Sequence, residues 1–516
     1  MQIFPTRATF HVALAGAALV AVGVASRLTP MVAFGGAMIL AVAAGRGLAW
    51  LAVTRLRSAG FEMAWLHPTR TVRVARSSPF DVIAELRNRG PDPVRAVAIR
   101  PIASSVLDVE VTPTELTLGA DSRARITLRV RPLRVGSWGL HGLALEVRAT
   151  PARGEGLYEV PLLFANPFGV EVVSTPLHAL LSSPLGGRGR RGAALGRPSN
   201  AVGEGDELRE LRDHVPGDPF KRIAWKASAK RGQLLVRDME REEREVVWLV
   251  LDASVELWAG PMGHAPLDDG VDEVAALAAA HLRAGDRTGL AVVASRLRSF
   301  VRPAQGAQQA VSITRALTDA ANLVDADRSD LDEQDVALRV FEHARSLDGA
   351  GLADVASGDL DGLALRAEAL LERAPFVVGV PFARTAREQV LRRHLAAYGI
   401  EVPPRPEGER QRAEATLTEV LGTLLRERPS PTVVHVWAPA PLSKSPVLAA
   451  LRRLRLHRVE LRWSMPNLER GLGGHEAVQE IVDEAVRVRA RAARHRGQAL
   501  LRRVGVRCVS PVRRAG

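Results

Sequence analysis

Val246-Val-Trp-Leu-Val-Leu251, followed by Asp252-Ala-Ser254, decides the fold. An unbroken apolar run of this length lacks the alternation of a half-exposed strand, so it reads as a strand covered on both faces. Working outward, Thr288-Gly-Leu-Ala-Val-Val-Ala294, Phe376-Val-Val-Gly-Val380, Thr432-Val-Val-His-Val-Trp437 and Arg458-Val-Glu-Leu-Arg-Trp463 read as further strands. Val271–Ala284, Gln308–Asp319, Arg384–Tyr398 and Pro446–Leu454 read as helices between them. Alternating strands and helices predict an α/β domain over 246–516, with a mainly parallel sheet and helices on both faces. Ligands of such sheets gather at the carboxyl ends of the strands, where Asp252 and Ser254 fall.

The chain of 516 residues is long enough for roughly three domains. Its net charge of +13 comes mostly from arginine, and acidic residues are interspersed with the basic ones, so composition alone does not define a nucleic-acid surface. The single Cys508 forms no internal disulfide.

At the N-terminus, Phe10–Ser26 and Met31–Val53 are apolar runs, each about long enough to cross a hydrocarbon core. The connector Arg27-Leu-Thr-Pro30 makes them a tight hairpin within residues 1–58. Arg7 before the first run, with Arg55 and Arg57 after the second, predicts that both flanks and the large remainder are cytoplasmic. Arg46 near the inner end reads as a snorkelling anchor. The expected location is a membrane, crossed twice, with the large remaining region cytoplasmic.

Residues 59–175 change to period two. Thr71–Arg76, Phe80–Arg87, Ala124–Arg131 and Leu140–Arg148 alternate apolar with polar side chains, which predicts an immunoglobulin-like β-sandwich. The following 176–200 reads as a flexible linker, since Pro184–Asn200 holds five Gly, four Arg and two Pro. Its Gly-Arg run leaves open binding to nucleic acid or anionic lipid.

The segment 201–245 is dense in charge and turn residues. Glu204–His214 reads as a short helix with Glu207, Glu210 and Asp213 on one face, Val215-Pro-Gly-Asp-Pro219 as a turn, and Phe220–Trp225 as extended. In one reading Arg212 and Arg222 pair with Glu207 and Asp218 to pin the turn, and Trp225 is fixed against the α/β domain. In the other, a metal-dependent hydrolytic enzyme uses Glu207, Asp218 or Asp252. No catalytic triad is assembled by the sequence and no phosphate loop occurs, so the expectation is a protein that is not an enzyme.

Gly203-Glu-Gly-Asp-Glu-Leu-x-x-Leu-Arg212, Pro216-Gly-Asp218, Arg222-Ile-x-Trp225, Ala227-Ser-Ala229 and Asp252-x-Ser254 occur in that order, and Asn166-Pro-Phe-Gly169 closes the β-domain. Together they resemble the bacterial family named domain of unknown function 58. The resemblance implies membrane anchoring, a von Willebrand factor A-like region and association with MoxR-type AAA+ ATPases. It therefore implies a scaffold or adaptor whose docking element comprises Glu207, Arg212, Pro216, Gly217, Asp218, Arg222 and Trp225.

In von Willebrand A domains, Asp-x-Ser-x-Ser offers oxygens to Mg²⁺. Here Asp252 and Ser254 are followed by Glu256 rather than Ser, Arg302–Gln308 has no Thr, and Ala438-Pro-Ala-Pro441 has no Asp. The set is degenerate, and no cofactor is expected unless Glu256 restores a ligand. Two segments remain: an insertion over 323–373 rich in Asp, read as a partner-facing lid or extra helices, and a basic helix over His475–Arg503.

Overall fold

In the computed structural model, Val246–Asp252 is a strand buried along its whole length. The structure describes residues 3–148, 157–182, 197–243, 245–258, 260–321, 329–347, 355–356, 358–372, 383–400, 402–403, 408–466 and 477–509. These fall into two units, one formed by Met1–Val173 with Asn322–Pro404 and the other by Ser174–Ala321 with Arg405–Gly516.

In the second unit the strand order is Leu297–Ala304, Arg287–Val293, Val246–Asp252, Val433–Trp437, Glu460–Ser464, Arg507–Val509. The first pair is antiparallel and the rest are parallel. Burial on both faces explains the unbroken apolar run. Trp248 and Val250 join a core with Leu417, Leu421 and Leu424 of the helix Glu409–Leu424 and with Leu451 of Val447–Leu456. The helix Pro266–Ala284 packs closely on the sheet through Gly270, where an added Cβ would come within 2.5 Å of the Trp437 ring. Pro at the first turn and Asp268, which accepts from the Ala265 backbone N–H at 3.1 Å, start this helix. Gly285, with φ +83, ends it.

The same unit contains a hairpin, Arg197–Asp213 paired antiparallel with Leu235–Glu243. The expected helix over Glu204–His214 is therefore a strand up to Asp213. Register shifts between Ser199 and Val202, between Gly203 and Leu208, and between Leu208 and Glu210 absorb the extra residues as bulges, so backbone pairing outweighs the helical charge spacing. Thr175–Ser182, expected as linker, is a helix that buries Leu177 and Leu180. The Gly-Arg run Gly186–Arg191 and the expected strand Phe376–Val380 lie outside the described residues.

The first unit opens with helices Arg7–Ala25 and Thr29–Ala59, both long and apolar enough to cross a membrane by length and composition. They pack through glycine. An added Cβ at Gly35 would lie 2.6 Å from the Gly16 carbonyl oxygen, and one at Gly23 would lie 2.9 Å from Val32. Two sheets follow. One runs Phe61–Trp65, Phe80–Asn88, Ser122–Pro132, Leu107–Thr112. The other runs Phe4–Pro5, Tyr158–Val173, Gly136–Arg148, Val94–Ala103, Leu116–Leu118, with Thr71–Ala75 parallel to Tyr158–Val173. The Asn166-Pro-Phe-Gly169 motif lies in a bulged strand, where Trp65 donates its indole N–H to the Asn166 carbonyl at 2.6 Å and Phe168 is buried.

Helices Glu333–Leu347, Leu360–Glu372 and Ala386–Ala397 belong to this first unit. Ser104 joins them to the β-strands, donating to the Ala397 carbonyl at 2.7 Å and accepting from the Gly139 N–H at 3.1 Å. Tyr398 stacks against the rings of His141, His343 and His394, with centroids 4.1, 4.4 and 4.7 Å away.

Candidate functional site

Two places in the α/β unit carry candidate chemistry: the turn of the hairpin and the carboxyl end of the sheet. At the turn, Gly217 has φ +106, a conformation other residues adopt at a cost. Arg212 donates from Nη1 and Nη2 to Asp218 Oδ2 and Oδ1 at 2.8 and 2.7 Å, and the Val215 N–H donates to Oδ2 at 2.9 Å. The Arg212 hydrogen bonds, aided by Val215, hold the Asp218 carboxyl well below the usual carboxylate range. Gln233 Nε2 donates to Asp213 Oδ1 at 3.0 Å across the hairpin. The side chain of Glu207 lies outside the described residues.

Beyond the turn, Phe220–Arg222 is a 3₁₀ turn rather than extended chain, and Trp225–Arg231 is a short helix. Ser228 fixes that helix, donating to the Ala224 carbonyl at 3.0 Å and accepting from the Leu235 N–H at 2.9 Å. Ile223 and Ala224 point inward and are buried, which leaves their neighbours outside. Trp225 is not fixed in a core: it is 60% exposed, and Phe220 at 78% and Val215 at 56% are exposed in the same segment. Leu211 and Leu234 are also exposed. The segment is thus a hydrogen-bonded turn and short helix that carry apolar side chains into solvent. Lys221, Lys226 and Lys230 are exposed in the same segment and are three of the chain's four lysines, the fourth being Lys444, in a chain whose basic residues are otherwise mostly arginine. That concentration is a signal legible in the sequence and easily passed over.

At the sheet end, Asp252 is buried and accepts from the Ser254 N–H at 2.9 Å. Burial pushes its carboxyl up to about 7, against hydrogen bonds from Ser254. Glu256 faces Arg410 of the helix Glu409–Leu424, whose Nη1 donates at 3.0 and 3.2 Å. Arg410 Nη2 donates to the Ala440 carbonyl, and its Nε lies 3.6 Å from Glu414 Oε1. Glu414 Oε1 in turn accepts from the Leu442 N–H at 2.9 Å. The gap among Asp252, Glu256, Arg410 and Glu414 is about 10 Å³, on the order of a single water. Next to it opens a cleft of about 470 Å³ lined by Arg410, Pro439, Leu442, Met465, Arg494 and Arg496, among others. Sequence reasoning found Asp252, Ser254 and Glu256 and missed Arg410 and Glu414. Arg410 follows Glu256 by 154 residues, and only the fold brings them together.

Among the described residues one further group has the makings of a metal set: Glu245, His281 and Asp286. Asp286 accepts from the Glu245 N–H at 3.2 Å and lies 2.8 Å from His281 Nδ1. These bonds close the end of a helix against the start of a strand.

The α/β unit with its hairpin defines the class: a mixed protein built on a largely parallel sheet. Residues 210–361 match the family described as "Protein of unknown function DUF58", a match that begins within the hairpin and includes Asp252. No curated protein matches the chain. Solved structures similar to parts of it include the PapD-like domain 7 of human CEP192, at 11% identity and TM-score 0.17, covering 23% of this chain and 87% of that one. WR4, a C. elegans MSP family member, is similar at 7% identity and TM-score 0.15, covering 22% of this chain and 97% of that one.

Proposed function

We propose that the protein is a membrane-anchored adaptor that acts by protein contact, docking a MoxR-type AAA+ ATPase through the face that carries Val215, Phe220 and Trp225. In this reading the two apolar helices form a hairpin in a bacterial inner membrane, with the rest of the chain cytoplasmic. The α/β unit is von Willebrand A-like and the β-strands of the other unit form an immunoglobulin-like sandwich.

One observation carries the reading: large apolar side chains stand in solvent on a turn locked by Arg212 and Asp218. Exposed aromatics on a rigid support are typical of binding hot spots, because little conformational entropy is lost when they are covered. The lysine rim suits an acidic partner surface and favours fast encounter. Asp218, proposed for hydrolysis in the alternative reading, has its carboxylate oxygens occupied by Arg212 and Val215.

The test is capture of a purified MoxR-type ATPase by the detergent-solubilised full chain. Binding supports the adaptor reading. Absence of binding at micromolar concentrations, with and without ATP, removes this partner.

A further inference from the structure

The carboxyl end of the central strand has the acidic oxygens of a divalent-metal site, but the residues present do not fit a divalent ion. Asp252 closes on the backbone N–H of Ser254, and Glu256, where a hydroxyl ligand is needed, turns to Arg410. The guanidinium sits where it meets Glu256, Glu414 and the Ala440 carbonyl, and it lines the same small gap as Asp252. A delocalised cation with five donors satisfies several oxygens from different directions, much as an ion does, yet it is attached to the chain.

We propose that Arg410 is the permanent cation of this site. It balances Asp252, Glu256 and Glu414 and ties the loop after the central strand to the helix Glu409–Leu424 and to the loop after Val433–Trp437, so this end of the sheet is assembled without a divalent metal. Three observations converge on it. The ion pair to Glu256 is made at 3.0 Å, Glu414 lies within 3.6 Å, and the space left beside them is only about 10 Å³. A bound ion with its own water shell needs more room than that. The inference is independent of the docking face at the hairpin and stands if the ATPase proves not to be the partner.

Two measurements on the full chain test it. Mn²⁺ binding followed by electron paramagnetic resonance is compared between the wild type and D252N. Equal binding is expected, and binding by the wild type that D252N removes would overturn the proposal. Thermal unfolding is then compared for R410M and the triple variant R410M/E256Q/E414Q. Loss of the cation leaves carboxylates unpaired, so R410M should lower the transition by roughly 5 °C. Neutralising the two glutamates should recover at least half of that loss. An unchanged R410M, or a triple variant that falls as far as R410M, contradicts the assignment. If R410M does not fold, a folded triple variant supports the proposal, and a triple variant that also fails to fold contradicts it.

Discussion

Arg212 holds both carboxylate oxygens of Asp218, at 2.8 and 2.7 Å, across a turn whose sharpest point is Gly217. The pair sits near the surface, where solvent screens it, so its contribution to global stability is small. Its effect is local. It decides whether the residues that follow are presented in one arrangement or many.

Asp218→Asn keeps the shape but loses the charge-assisted pair. The expected outcome is faster amide exchange at Val215 and limited proteolysis within 213–222, with the main thermal transition unchanged within about 1 °C. Capture of the partner should weaken about tenfold, because ordering the turn must then be supplied on binding.

The histidines around Tyr398 make the first unit sensitive to acid. Burial lowers His141 and His343 to about 4 and His394 to about 3; His343 adds to the lowering of the other two, and a backbone hydrogen bond opposes it in each of those two. A folded-state value below the unfolded one means that the unfolded chain takes up protons first. Stability should therefore fall as pH drops from about 6.5 toward 4, by up to about 1.4 kcal/mol per pH unit for each histidine. Thermal scans between pH 7 and 5 should show the loss, and His343→Phe should flatten it.

Asp252 works in the opposite sense. Burial raises its carboxyl to about 7, so its contribution to stability is greatest at low pH and is lost as pH rises from about 4 through 7. Asp252→Asn retains an oxygen for the Ser254 N–H and removes the buried charge. At pH 8 it should leave the α/β transition unchanged or raise it by a few degrees, and at pH 5 the difference should shrink. A large loss at pH 8 would mean that the carboxylate is needed in its charged form.

The core of the α/β unit was legible because full burial leaves an uninterrupted apolar signature. Val246–Leu251 and Thr432–Trp437 read as strands and are strands, to within a residue or so. The charged segment departs from the helix that its spacing predicts for a physical reason. Glu207, Glu210 and Asp213 recur at helical spacing, but the chain satisfies its backbone against Leu235–Glu243 instead, with bulges that sequence spacing does not reveal. Trp225, expected to be fixed against the α/β domain, stands outward instead because Ile223 and Ala224 fill the interior beneath the segment. Arg410 was hidden by distance along the chain. A guanidinium on a helix is unremarkable in sequence until the fold sets it against Glu256.

The docking face is tested most directly by quantitative binding of the ATPase to Phe220→Ala and Trp225→Ala in the full chain. Both residues are largely exposed, so neither change should shift the thermal transition by more than about 1 °C. Each should weaken binding at least tenfold, and the double variant should abolish it, with salt further weakening the wild type through the lysine rim. Wild-type affinity in the folded double variant would contradict the assignment of this face as the docking surface.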